Sequence, residues 1–225
     1  MVRQRLGFFQ FFPQRLFARG WWGVSAVLLL FVLSGSRVGE GWHGPWALLI
    51  DWQPERAWSQ PWRWWTPVAV HYSWLHWLAN VVGLILVACL GAAARVPGWC
   101  AVAWCLAWPL THLGLLWRPE LLHFGGLSGV LHAGVSIIAL WLMVTGRGVP
   151  RILGWVIALV LLGKVLHEAP WGPVVQYHEG LRIFVVPWAH ATGVLSGLVC
   201  GAMTCWVGRA RPLFGSNSLP KSRTP

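Results

Sequence analysis

The sequence predicts an all-α, polytopic membrane protein: a bundle of six transmembrane helices. Three observations carry that expectation. The 225-residue chain is 56% hydrophobic and only 10% charged, with a mean hydropathy of +0.58. A soluble domain of this size cannot bury so much apolar surface. Apolar runs of about 20 residues, enough to cross a bilayer, recur along the chain. Twenty tryptophans are present, and many stand at the ends of those runs: Trp21, Trp22, Trp62, Trp64, Trp65, Trp117 and Trp188. Trp favours the membrane–water interface.

Taken in order, the runs place spans at about 20–36, 73–94, 98–117, 126–145, 151–168 and 188–207. The first has a basic front, a VSAVLLLFVL core and small residues at Ser34–Ser36, the layout of a signal peptide. Read as an uncleaved anchor, it leaves an even number of spans, which the charges support. The fifth has a clear core, ILGWVIALVLLG, but ends in Lys164, His167 and Glu168. Residues 1–19 form a basic, Phe-rich segment suited to lying on a membrane surface. Residues 20–207 form the membrane domain, and 208–225 a polar, basic tail expected to be disordered. The loop at about 37–72 is long and rich in Trp and Pro, and loops of that length are often functional.

The net charge of +11 is a topology signal. With the N-terminus in the cytoplasm, the cytoplasmic segments hold Arg3, Arg5, Arg15, Arg19, Arg95, Arg147, Arg151, Arg209, Arg211, Lys221 and Arg223 and no acid. The opposite side holds Arg37, Arg56, Arg63, Arg118, Lys164 and Arg182, balanced by Glu40, Asp51, Glu55, Glu120, Glu168 and Glu179. The positive-inside rule then puts both termini in the cytoplasm. Basic residues scattered between apolar spans make no nucleic-acid footprint. The five cysteines contain no CxxC pair and read as buried thiols.

Ionisable or reactive side chains inside spans are rare and usually line an interior or an aqueous cavity. Three groups stand out, all near the outer ends of their spans. In HYSWLHWLANVVG, His76 and Asn80 share a helix face, with His71 more than a turn earlier. In FGGLSGVLHAG, Ser128 opens the fourth span beside Gly125, Gly126 and Gly129, and His132 lies one turn on. Helix-start N–H groups there can stabilise an anion. In PWAHATGVLSGLVCG, His190 precedes Gly193, Gly197 and Gly201, a small-xxx-small surface for tight helix packing. Each alone is ordinary packing or interhelical hydrogen bonding. Together they offer a nucleophile, a base and oxyanion donors at one depth.

With these residues the chain resembles the rhomboid family of intramembrane serine proteases. FGGLSG matches the family's GxSG motif, AHATGVLSG its AHxxGxxxG, and His71–x4–His76–x3–Asn80 its HxxxxHxxxN. They fall in the family's order on spans two, four and six, and the resemblance covers roughly residues 60–207. WRWWTPVAVHYSWLHWLAN, GLSGVLHAG and GKVLHEAPWG look most like the rhombosortase branch. The resemblance implies a six-helix rhomboid-like bundle in a bacterial inner membrane, with its site toward the periplasmic face. It implies an endopeptidase that needs no cofactor or metal. Its partners would be the lipid bilayer and membrane-anchored proteins with a C-terminal Gly-Gly sorting segment. Ser128 would be the nucleophile and His190 its general base, a dyad without the third, orienting group of a triad. His132 would stack on His190. The backbone N–H groups of Ser128 and Leu127, following Gly126, and the side chains of His76 and Asn80 would form the oxyanion hole, with His71 in support. Lys164 and Glu168, four apart, read either as a structural ion pair or as a hold on the substrate's sorting segment.

Two rival readings fit the sequence less well. A non-catalytic, client-binding relative would typically lack the Ser or the His, and both remain. A metal or small-solute transporter would call for convergent ligands or an inverted repeat with broken helices, but His71/His76 and His123/His132 are partial sets, the span centres lack carboxylates and no such repeat is visible.

Overall fold

The computed structural model describes residues 14–35, 44–180 and 182–210. The expectations for residues 1–13 and 211–225, and the part of the first loop at 36–43, lie outside the described residues. The described chain is mostly helical: α1 (Gln14–Ser34), α2 (Ala47–Ile50), α3 (Trp74–Ala93), α4 (Gly98–Leu113), α5 (Ser128–Thr145), α6 (Val149–His167) and α7 (Pro187–Ala210). One small antiparallel hairpin, β1 (Gln176–His178) with β2 (Ile183–Val185), joins α6 to α7. Four stretches are long and apolar enough to cross a membrane: Trp74–Ala93, Gly98–Trp117, Ser128–Thr145 and Val149–His167. In α1 a shorter apolar stretch covers Arg19–Ser34.

Helix ends follow local chemistry. The Ser73 hydroxyl caps α3 by accepting from the His76 N–H at 3.2 Å. Pro97 precedes α4, and Pro150 sits in the first turn of α6, where its missing N–H costs nothing. Beyond Leu113, α4 tightens into a 3-10 turn, Gly114–Trp117. The loop before α3 is built of short helical pieces. It is α2 followed by three 3-10 turns, each with proline in its first two positions: Pro54–Arg56, Pro61–Trp64 and Thr66–Ala69. Its Trp52 pairs with Phe124 in an isolated antiparallel bridge, which fixes the loop against the segment entering α5.

The core lies between α1, α3, α4 and α5. Trp21 stacks on Trp104 with centroids 4.4 Å apart, and Trp104 donates its indole N–H to the Val130 carbonyl at 2.8 Å. Trp21 likewise donates its indole N–H to the Val87 carbonyl at 3.3 Å, so this stacked pair satisfies its polar atoms on backbone. The outward faces are apolar instead: Ile85, Leu86, Leu106, Ile152, Leu159 and Val160 are all exposed, as suits a lipid solvent. Among the long helices α6 is the most peripheral.

A close backbone approach joins α5 and α7. A Cβ on Gly193 would fall on the Gly129 carbonyl, and one on Gly197 on the Ala133 carbonyl and the Ser136 hydroxyl. Small residues let these two helices touch. We therefore expect Gly193→Val to lower the thermal unfolding midpoint in detergent, at an overpacking cost of about 1–3 kcal/mol. Gly163→Ala is the control, because nothing lies within 4 Å of a Cβ there. It should be neutral or slightly stabilising. Equal damage from both substitutions would refute the packing account.

Candidate active site

Ser128 is the first residue of α5. Gly126 just before it has φ +143°, a conformation that L side chains rarely adopt. This kink turns the extended segment at 122–125 into the helix. It also lets His76 approach, since a Cβ on Gly126 would sit 3.0 Å from the His76 ring. The first N–H groups of α5 have no partner within the helix, so the backbone of Leu127 and Ser128 enters the site with its donors unused by α5.

His190 lies in the first turn of α7, and the glycine contact brings it to Ser128. Its Nε2 is 2.8 Å from the Ser128 Oγ, although the two residues are 62 apart in sequence. His132 stacks on His190 with centroids 4.2 Å apart and planes 11° from parallel. The His132 Nδ1–H donates to the Ser128 carbonyl at 2.7 Å, which fixes the stacked ring. Both contacts agree with the stacking expected of His132.

The expectation that His190 has no orienting partner needs correction. Its Nδ1 lies 2.7 Å from Glu168 Oε2. The other carboxylate oxygen of Glu168 accepts from Lys164 Nζ at 2.6 Å, the i, i+4 pair read from the sequence. Lys164 also lies 3.5 Å from the His190 Nδ1. Ser128, His190 and Glu168 thus form a continuous hydrogen-bonded chain on three helices. Burial alone would raise the Glu168 carboxyl. The His190 hydrogen bond and charge, then Lys164, outweigh it and hold the group down at about 2. A folded value below the unfolded one means that this stabilisation is present above the ordinary carboxylate range. It is lost only as pH falls through about 2.

The loop after Glu168 is pinned. Arg118 donates to the carbonyls of Pro170 at 2.8 Å and Gly172 at 2.9 Å, and Gln176 donates its side-chain N–H to the Glu168 carbonyl at 2.9 Å.

The other site residues divide. His76 lines a small cavity, of about 20 Å³, together with Ser128, Tyr72, His123 and the β2 edge at Phe184–Val186. Asn80 does not line it, and its amide donates to the His76 carbonyl at 3.1 Å. His71 is buried edge-on to His76, 5.1 Å between centroids. Burial first, then the His76 charge, pushes its imidazole down to about 3.

His123, noticed in the sequence only as part of a partial metal set, belongs to this cavity. Its Nδ1 is 2.7 Å from Asp51 Oδ2. Asp51 is fully buried and also meets Arg63 at 3.0 Å and the Gln53 side-chain N–H at 2.7 Å. Burial lowers the Arg63 guanidinium, opposed by Asp51. No local spacing announces this pair, because 72 residues separate His123 from Asp51. Among the described residues, no three His, Cys, Asp or Glu side chains are grouped to hold a metal ion.

No family model matches the chain, and no curated protein matches it.

Removing Asp51 strands the buried Arg63 charge. Asp51→Ala should therefore cost about 3–5 kcal/mol of stability. Glu120→Ala removes only the exposed partner of Arg118 and should change the unfolding midpoint little. Chemical denaturation in detergent compares the two. Equal midpoints would refute a structural role for the buried pair.

Proposed function

We propose that this protein is an intramembrane serine endopeptidase of rhomboid type. The observation that carries the reading is the 2.8 Å contact between Ser128 Oγ and His190 Nε2, with Glu168 on the far side of the ring. In this reading α1, α3, α4, α5, α6 and α7 are six spans. Both termini are cytoplasmic, and the site opens toward the periplasmic face of a bacterial inner membrane.

The chemistry follows from the geometry. His190 Nε2 takes the Ser128 proton as Oγ attacks the scissile carbonyl. Glu168 accepts from Nδ1–H, which fixes the tautomer and stabilises the imidazolium that forms. The α5 N-terminus, through the N–H groups of Leu127 and Ser128, and the neighbouring His76 stabilise the oxyanion. His190 then gives its proton to the leaving amine, and water releases the acyl-enzyme by the reverse steps. Glu168 makes this a triad. Lys164 keeps the acid ionised and in place, so the pair belongs to the catalytic group as well as to the helix end.

The substrates in this reading are membrane-anchored proteins cut near a C-terminal apolar sorting segment, of the Gly-Gly kind that the rhombosortase resemblance implies. The lipid bilayer is the common solvent.

The test is labelling of the detergent-solubilised protein with a fluorescent fluorophosphonate. The natural protein should label, and Ser128→Ala and His190→Ala should not. Glu168→Gln should slow labelling by about 10²–10⁴-fold, as when a triad acid is replaced by its amide. Labelling of Ser128→Ala at the natural rate would overturn the nucleophile assignment. An unaffected Glu168→Gln would overturn the triad.

A further inference from the structure

The Ser128 cavity has a second acid–histidine pair on its wall, and the catalytic steps do not use it. His123 lines the cavity with Ser128 and His76, and its side chain is 41% exposed. Its Nδ1 is held by Asp51, whose carboxylate is wholly buried. Asp51 in turn is bound by Arg63, itself buried, and by Gln53. This is an expensive arrangement for a surface ring. A buried carboxylate with an ion pair fixes one imidazole whose other edge is open.

Asp51, bound also by Arg63 and Gln53, takes one hydrogen bond from His123. The tautomer that donates from Nδ1 carries its lone pair on Nε2. No group among the described residues bonds that nitrogen. The ring is therefore oriented as an acceptor on the cavity wall, with little rotational freedom to lose on binding. We propose that His123 is a specificity-determining residue. Its Nε2 accepts a hydrogen bond from an N–H or O–H donor of the substrate segment lying beside the scissile bond. The donor is either a backbone amide or a Ser/Thr hydroxyl. Asp51 is the positioning residue behind it.

This proposal rests on the protease reading, and the test separates the two. The probe is a synthetic peptide with a Gly-Gly dipeptide, an apolar segment and a basic end, cleaved in detergent. The quantity read is the ratio of peptide kcat/KM to the rate of fluorophosphonate labelling at Ser128. Thermal unfolding monitors folding. His123→Phe keeps a ring but removes the acceptor, and should lower the ratio about tenfold. His123→Gln supplies an acceptor and should recover part of it. Two sets of peptides identify the donor. In one, successive backbone N–H groups near the cleaved bond are replaced by ester oxygens. In the other, Ser and Thr are replaced by Ala. One replacement should cost the natural protein about tenfold and His123→Phe nothing further. An ester identifies a backbone donor, and Ala a hydroxyl. If the ratio does not change in His123→Phe, or if no replacement depends on His123, the proposal is overturned while the protease reading stands. If the natural protein neither labels nor cleaves, the protease reading falls and takes this proposal with it.

Discussion

The site depends on two helices touching at glycine. Ser128 opens α5 and His190 lies in the first turn of α7, and each would be an unremarkable polar residue at a helix end if the axes stood at ordinary separation. Helices bearing larger side chains pack 8–10 Å apart. Here the Gly129 carbonyl occupies the space where a Gly193 side chain would begin, and Ala133 and Ser136 do the same to Gly197. Thr192 secures the approach from the other side by donating to the Thr111 carbonyl of α4 at 3.0 Å. Close backbones then place an imidazole nitrogen at hydrogen-bond distance from a hydroxyl without a long side chain to span the gap. In an apolar solvent there is no hydrophobic drive to press helices together, so such packing has to come from shape.

The acid imposes a second constraint. Glu168 follows the last turn of α6, the negative end of the helix dipole, where a carboxylate is disfavoured. It is also largely buried. Two partners offset both penalties, Lys164 on one oxygen and His190 on the other. Removing either partner leaves a carboxylate in the wrong place. That mutual need orients His190: its Nδ1 faces the second oxygen at 2.7 Å, and the stack with His132 sets its plane.

Much of this was legible in the sequence, and the boundary has a physical cause. Helix positions follow from hydropathy, and the structure bounds them at local signals such as Ser73, Pro97 and Pro150. Ser128, His76, Asn80 and His190 were found because their spacing on single helices carries the pattern. The i, i+4 pair of Lys164 and Glu168 was equally visible, and it forms. What the spacing could not contain is the second oxygen of Glu168. Its contact with His190 depends on how the chain returns through the β1–β2 hairpin, a relation between elements. Asp51 and His123 were hidden for the same reason, since their link runs from an irregular, proline-punctuated loop to the entry of α5. Asn80 is a different case: one amide N–H donates to the His76 carbonyl one turn back, and its side chain does not line the cavity.

The position of the acid on the most peripheral long helix has a further consequence. α6 rests on α5 and meets α7 only slightly, so helix packing alone does not hold Glu168 against His190. The loop does that work. Arg118 ties down the Pro170 and Gly172 carbonyls, and its guanidinium lies 6.0 Å from the Trp188 ring, which itself donates to the Gly114 carbonyl at 2.9 Å. Arg118 leaves α4's 3-10 turn, Trp188 opens α7, and the loop leaves α6. One guanidinium thus joins the three elements whose relative placement sets the His190–Glu168 distance. The link is made of backbone carbonyls, which have no rotamers to lose. The Ser128–His190–Glu168 geometry is therefore held by a polar clamp around Arg118, while the glycine contact between α5 and α7 holds Ser128 and His190 together.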